Sequence, residues 1–262
     1  MNIIKRELKA NLKSFIIWAV ALSVIFLTAS TEFEAYYGNE DIIEAMKTFE
    51  QLFAALGVSI EDMTTPKGFL VLVSIYIYLP LSIYAGLLGS GIISKEEKDK
   101  TAEFLFTMPT SRRRVITAKL IVSIIYIILL DIVAIGINIF AYSRFELSSD
   151  FYQFTLYLWL GVLITELIFL SIGMFLSSVL NQYKLSGSIT IGILISTFMI
   201  SMLIGFVEEA EFLQYITPFQ FFPAEKMANT SFEFVYLLIT FVIVCSSIGG
   251  LYYFYQKRDL TI

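Results

Sequence analysis

Two acids lie where acids rarely belong. Asp131 and Glu166 each fall inside a long apolar run. An ionised group at the centre of a membrane helix costs at least ~2.5–3.5 kcal/mol on insertion scales, so each must face protein or water, or carry a proton. At about 1.5 Å per residue, Asp131 sits roughly 18 Å and Glu166 roughly 21 Å from the same end of two consecutive antiparallel runs. Asn138 follows Asp131 by two helical turns on one face. These three are the candidate polar residues of a transport path, or the two acids are a proton-linked pair. The plainer reading is interhelical hydrogen-bond glue between protonated or partnered acids. No motif around either acid suggests catalysis, so no catalytic residue is assigned.

Other chemistry is thin. Histidine is absent and Cys245 is the only cysteine. That excludes His general bases, His metal ligands, the usual intramembrane zinc proteases and an intrachain disulfide. No metal site is expected. No Gly-rich loop ending in Gly-Lys-Ser/Thr occurs, so the chain is not expected to bind ATP by a P-loop, to be an enzyme, or to hold a cofactor of its own. Nothing points to nucleic acid.

The elements that position the acids are membrane spans. Hydrophobic residues make up 57% of the chain and charged ones 16%, too apolar for an ordinary soluble domain. The fold class expected is all-α: a polytopic membrane protein forming one membrane domain, 1–262. Residues 1–13 place Ile3, Ile4, Leu8 and Leu12 on one helical face with Lys5, Arg6, Lys9 and Lys13 around the rest, the pattern of an interfacial helix. A signal-peptide n-region is the bland alternative, but the basic segment is long and patterned and no clean small-x-small site precedes Glu32. Six transmembrane helices are expected at 15–29, 69–93, 120–141, 155–180, 185–207 and 232–254. Ser82, Ala85, Gly86, Gly89 and Ser90 give the second a face that another helix can approach closely.

The connections carry the charge. Residues 30–68 are acidic, with an amphipathic helix from Ile42 to Leu56 that Asn39 can cap and Gly57 can end. Thr65-Pro66 reads as a helix start. Residues 208–231 are acidic too, and hold Pro218 and Pro223 among aromatics, an irregular segment able to dip into the outer leaflet. Fourteen of the eighteen Lys and Arg fall on one side of the spans, which makes that side, with both termini, cytoplasmic in a cell membrane.

The longest charged passage is the loop 94–119. A mere connection needs about 2–8 residues. Here Thr101 can cap a short helix, 102–107, with Glu103 beside its positive dipole end. Phe104, Leu105, Phe106 and Met108 give it an apolar face, Pro109 ends it, and Ser111 can cap the third span. An exposed apolar helix argues for a soluble partner. Arg112, Arg113 and Arg114 read first as a topology anchor in the inner headgroups, and less readily as a lipid-phosphate site.

This loop, Glu97-x-x-x-Thr101-x-Glu103-x-Leu105-x-x-x-Pro109-x-Ser111-Arg112 closing with Ala118-Lys119, resembles the cytoplasmic coupling loop of type 2 ATP-binding-cassette (ABC-2) permeases. Supporting parts are the basic N-terminal helix, Ser177-Ser178 with Asn181, Pro218, and the end Phe254-x-x-Lys257-Arg258-Asp259-Leu260. Lys100 stands where the family usually has Gly. The resemblance implies a permease subunit, an exporter, driven by a separate cytoplasmic ABC ATPase that binds ATP and Mg. It also implies a second permease copy, as homo- or heterodimer, in membrane lipid. By motif position Glu97, Thr101, Glu103, Leu105, Pro109, Ser111 and Arg112 would form the ATPase-coupling element. The rival is a self-contained secondary transporter or channel using Asp131 and Glu166.

Overall fold

Before Gly38 no proline or glycine interrupts the chain. The structure, a computed structural model, describes residues 3–50, 59–98, 111–180, 182–229 and 232–257. It runs one uninterrupted helix through the first stretch, α1 (Ile3–Tyr36). The expected break between an interfacial helix at 1–13 and a span at 15–29 does not occur. At 1.5 Å per residue α1 is about 51 Å long, well beyond the ~30 Å hydrocarbon core, so its basic first turns project past the apolar layer. Gly38, at φ +64°, supplies the left-handed residue that turns the chain away.

The short α2 (Glu40–Met46) follows. Asn39 stands at its start but makes no side-chain cap; its amide donates back to the Ala35 carbonyl, 3.3 Å. The expected end of that helix at Gly57 lies outside the described residues. Thr65 does cap α3 (Pro66–Leu72), its hydroxyl accepting the Gly68 N–H at 3.1 Å with Pro66 at the first position. The second span is then interrupted: Val73 and Ser74 leave the helix before α4 (Ile75–Lys98) begins.

Ser111 starts α5 (Arg112–Tyr142), accepting the Arg114 N–H. Ser148 starts α6 (Ser149–Val179) in the same way, accepting from Phe151. After α7 (Tyr183–Ile204) come 3₁₀ turns at Glu208–Ile216 and Pro218–Gln220, the short α8 (Ala224–Ala228), and α9 (Phe234–Lys257). Among the described residues six helices are long and apolar enough to cross a membrane: α1, α4, α5, α6, α7 and α9.

The centre of the bundle is the α4–α6 pair. The small residues expected to permit close approach do so. A Cβ on Gly89 would strike the Leu170 carbonyl, and one on Gly173 would lie 2.6 Å from the Gly86 oxygen. Aromatic pairs fasten α1 along its length: Phe15 to Tyr126 (5.4 Å between rings), Trp18 to Tyr84 (5.7 Å) and Phe26 to Trp159 (6.1 Å). Each such pair contributes about 0.5–1.5 kcal/mol beyond its buried area.

The Pro218 segment enters protein rather than lipid. Phe219, Phe221 and Phe222 are buried. Phe219 sits between Phe169 (5.3 Å) and Phe198 (5.4 Å), the Tyr78 hydroxyl donates to the Phe222 carbonyl, and the Gln220 amide donates to Ser201. Non-helical backbone is tolerated at such depth only where protein satisfies it.

Candidate functional site

Asp131 projects from α5 and Glu166 from α6, and both point inward. Asp131 is 5% exposed and Glu166 0%. The two carboxyls lie within interaction range of each other. None of their four oxygens receives a hydrogen bond from an amide, hydroxyl or cationic donor among the described residues.

The acids belong to a longer row. Asn138 is buried, and its side-chain oxygen has no hydrogen-bond partner among the described residues. The antiparallel run of α6 puts Trp159, two turns before Glu166, at the same level, and its indole N–H too has no hydrogen-bond partner among the described residues. Tyr142 continues the row toward the end of α5 away from the basic loop, its buried hydroxyl again without a hydrogen-bond partner among the described residues. Toward the other end stands Tyr84 of α4, buried and within electrostatic reach of Glu166. Sequence reasoning found Asp131, Asn138 and Glu166 but missed Trp159, Tyr142 and Tyr84. The mirrored seven-residue spacings, Asp131 to Asn138 and Trp159 to Glu166, were the available signal.

Tyr84 also lines a cleft of about 720 Å³ at the basic end of the bundle. Its walls are Asn11, Ser14 and Trp18 of α1, Ser94 and Lys95 of α4, and Lys184 and Ser188 of α7. The cleft therefore reaches inward to a side chain that itself neighbours the acid pair.

The loop residues divide. Thr101, Glu103, Leu105 and Pro109 lie outside the described residues, as does Lys100. Glu97 falls in the last turn of α4, its side chain outside them. Ser111 caps α5. Arg112, at the first position of α5, donates to the carbonyls of Tyr255 (3.3 Å) and Gln256 (3.1 Å) in the last turn of α9. Arg113 adds a bond to the Gln256 side chain. These carbonyls are among the orphan acceptors of a helix C-terminus and form its negative pole. They offset the repulsion between these arginines and the positive start of α5.

A charged cluster at the other root of the loop was also missed. The Glu7 side chain is fully buried. It holds Arg6 at 2.8 Å and the Lys95 ammonium at 3.5 Å, with Lys119 a third cation in electrostatic reach. Lys119, itself buried, donates to the Ile92 carbonyl, and the Tyr126 hydroxyl donates to the Leu8 carbonyl. Its signal was an acid at i+3 from Ile4 and i+4 from Ile3, on the apolar face of an otherwise basic helix.

Six helices long enough to span, a long loop rooted at the basic end between the second and third, and a buried, partly irregular segment before the sixth are now in place. The family model described as ABC-2 family transporter protein matches residues 1–260. The chain belongs to that family. No curated protein matches it. As an ABC-2 permease it is a multi-pass membrane transport subunit.

Proposed function

We propose that this permease works as a pair of copies, identical or not, and exports its substrate when driven by a separate cytoplasmic ATPase that binds ATP and Mg. The basic end of the bundle is then cytoplasmic. Residues 101–109 dock in a cleft of the ATPase, with Leu105 as buried anchor and Glu103 as helix-start stabiliser; Glu97, Thr101, Pro109, Ser111 and Arg112 shape and hold the docking element. Asp131, Asn138 and Glu166 form the polar interior of the same subunit.

One observation carries this reading: both roots of the loop are tied into the bundle. Lys95 is held by Glu7 of α1, Lys119 by the Ile92 carbonyl, and Arg112 by the end of α9. A loop anchored to three spans can pass a push from a soluble partner into the membrane domain; a slack connector cannot. The test is Leu105→Ala with Glu103→Ala. A buried Leu cut to Ala costs about 2–5 kcal/mol in a core and less at an interface that relaxes. The double variant should insert and fold normally, yet lose copurification with the ATPase or substrate-stimulated hydrolysis in proteoliposomes. Retention of both would remove the loop from coupling. The acid pair favours a second reading, a self-contained transporter, which predicts substrate flux in proteoliposomes that lack any ATPase.

A further inference from the structure

We propose that the cleft at the basic end of the bundle binds an acidic phospholipid, its headgroup at the mouth that Lys95 and Lys184 line and its chains along the inner wall of Trp18, Leu87 and Leu88. The site is separate from the docking loop and stands whether or not an ATPase drives the chain.

Tyr84, Leu87, Leu88, Gly91 and Lys95 recur at three- and four-residue spacing, so they share one face of α4. The face at Gly89 packs on α6. The first face floors the cleft, α1 forms one wall and the first two turns of α7 the other. Its volume, about 720 Å³, lies within the ~300–1,000 Å³ of small-molecule sites. Two lysines line it and no carboxylate does, among the described residues. The cleft at the opposite end of the bundle is the reverse: Asp62, Glu146, Asp150 and Glu225 line it with a single lysine, Lys67. The two ends therefore favour ligands of opposite charge. Lys95 is shared with Glu7, but Arg6 and Lys119 serve that carboxylate as well, and an ammonium carries three N–H donors. Positive charge at this root exceeds what Glu7 can balance.

Polarity changes with depth. Tyr84 lies eleven residues before Lys95, about 16 Å further from the basic end at 1.5 Å per residue. There Trp18 packs on Tyr84, 5.7 Å between rings, with Leu87 and Leu88 in the same lining. Ser14 and Ser188 add hydroxyls. A free phosphate would meet the lysines and leave the apolar wall bare; a lipid phosphate with its chains covers both. The walls also allow entry from the side, because α1 and α7 present most of their apolar surface outward. Basic pockets between membrane helices hold acidic headgroups for the same reasons of charge.

Native mass spectrometry of the purified full chain in detergent tests the site, with dioleoylphosphatidylglycerol, dioleoylphosphatidylcholine or inorganic phosphate added in turn. The expected result is a saturable phosphatidylglycerol adduct, held several-fold more tightly than phosphatidylcholine and not displaced by millimolar phosphate. Lys184 is exposed, so Lys184→Gln should fold. It should weaken phosphatidylglycerol several-fold and leave phosphatidylcholine unchanged. A Cβ on Gly91 meets nothing within 4 Å, so Gly91→Leu fills the cleft from its floor and should remove the tight adduct. No saturable adduct, equal binding of the two lipids, or an unchanged phosphatidylglycerol affinity in either variant would overturn the site. Displacement of phosphatidylglycerol by inorganic phosphate would overturn the lipid as ligand in favour of a free anion.

Discussion

The Glu7 carboxylate and the Lys95 ammonium, 3.5 Å apart, join the start of the first span to the end of the fourth helix at the point where the long loop begins. Glu7 is fully buried, whereas Lys95 and Arg6 are each about a quarter exposed. The acid is thus the member whose loss is hardest to repair. Glu7→Gln keeps the shape and strands the cations. Breaking a buried pair by removing one partner costs about 3–5 kcal/mol, and the partial exposure of the cations puts the expected loss at or below the lower end. Lys95→Met should cost less, because Arg6 and Lys119 still compensate Glu7. Thermal unfolding of the purified permease gives the order; equal melting temperatures for the two variants would show that Glu7 is not the hub.

Glycines divide into two classes by what surrounds them. Gly89→Ala and Gly173→Ala place a methyl against backbone across the α4–α6 seam. Overpacking of this kind costs about 1–3 kcal/mol and should lower the melting temperature. Gly91 and Gly192 have open space where a Cβ would go. Alanine there should be neutral or stabilising by up to about 1 kcal/mol, since both positions are helical. A clear loss at Gly192 with none at Gly89 would contradict the seam.

Topology is open to labelling. Cys245 is exposed and must first be replaced by Ser. A cysteine at Glu44 or Glu209 should then react with a membrane-impermeant maleimide added to intact cells, and one at Lys98 should not. Reaction at Lys98 alone would invert the protein and, with it, the side on which an ATPase could dock.

Much of the fold was legible because spans announce themselves by length and apolarity, and caps by residue type. Thr65-Pro66 and Ser111 start helices for local reasons, and local reasons are what a sequence displays. Asn39 misled because its side chain turns back toward α1, its amide donating to the Ala35 carbonyl, and its oxygen caps nothing in α2. The fusion of the first two elements into α1 was hidden for a different reason. A basic amphipathic stretch suggests a helix lying flat, and only the burial of Glu7 beneath Lys95, a partner 88 positions away, shows why it stands upright. The acid pair could be foreseen because depth follows from counting residues. Tyr84 and Trp159 could not: an aromatic in an apolar span looks like any other until its polar atom is found without a partner. The break at Val73–Ser74 had no signal that we can identify.

The seam at Gly89 and Gly173 has a mechanical consequence. Where two helices touch through backbone, no side chains remain to slide or repack between them, so the pair moves as one stiff beam. One end of α4 carries Lys95 and the root of the loop. Nearer its other end Tyr78 grips the Phe222 carbonyl of the buried Pro218–Phe222 segment. α1, α7 and α9 present most of their surface outward and are not locked to the beam in this way. A tilt imposed at the basic end would therefore be carried along α4, past the proline at Pro80, toward the Pro218–Phe222 segment that Tyr78 holds.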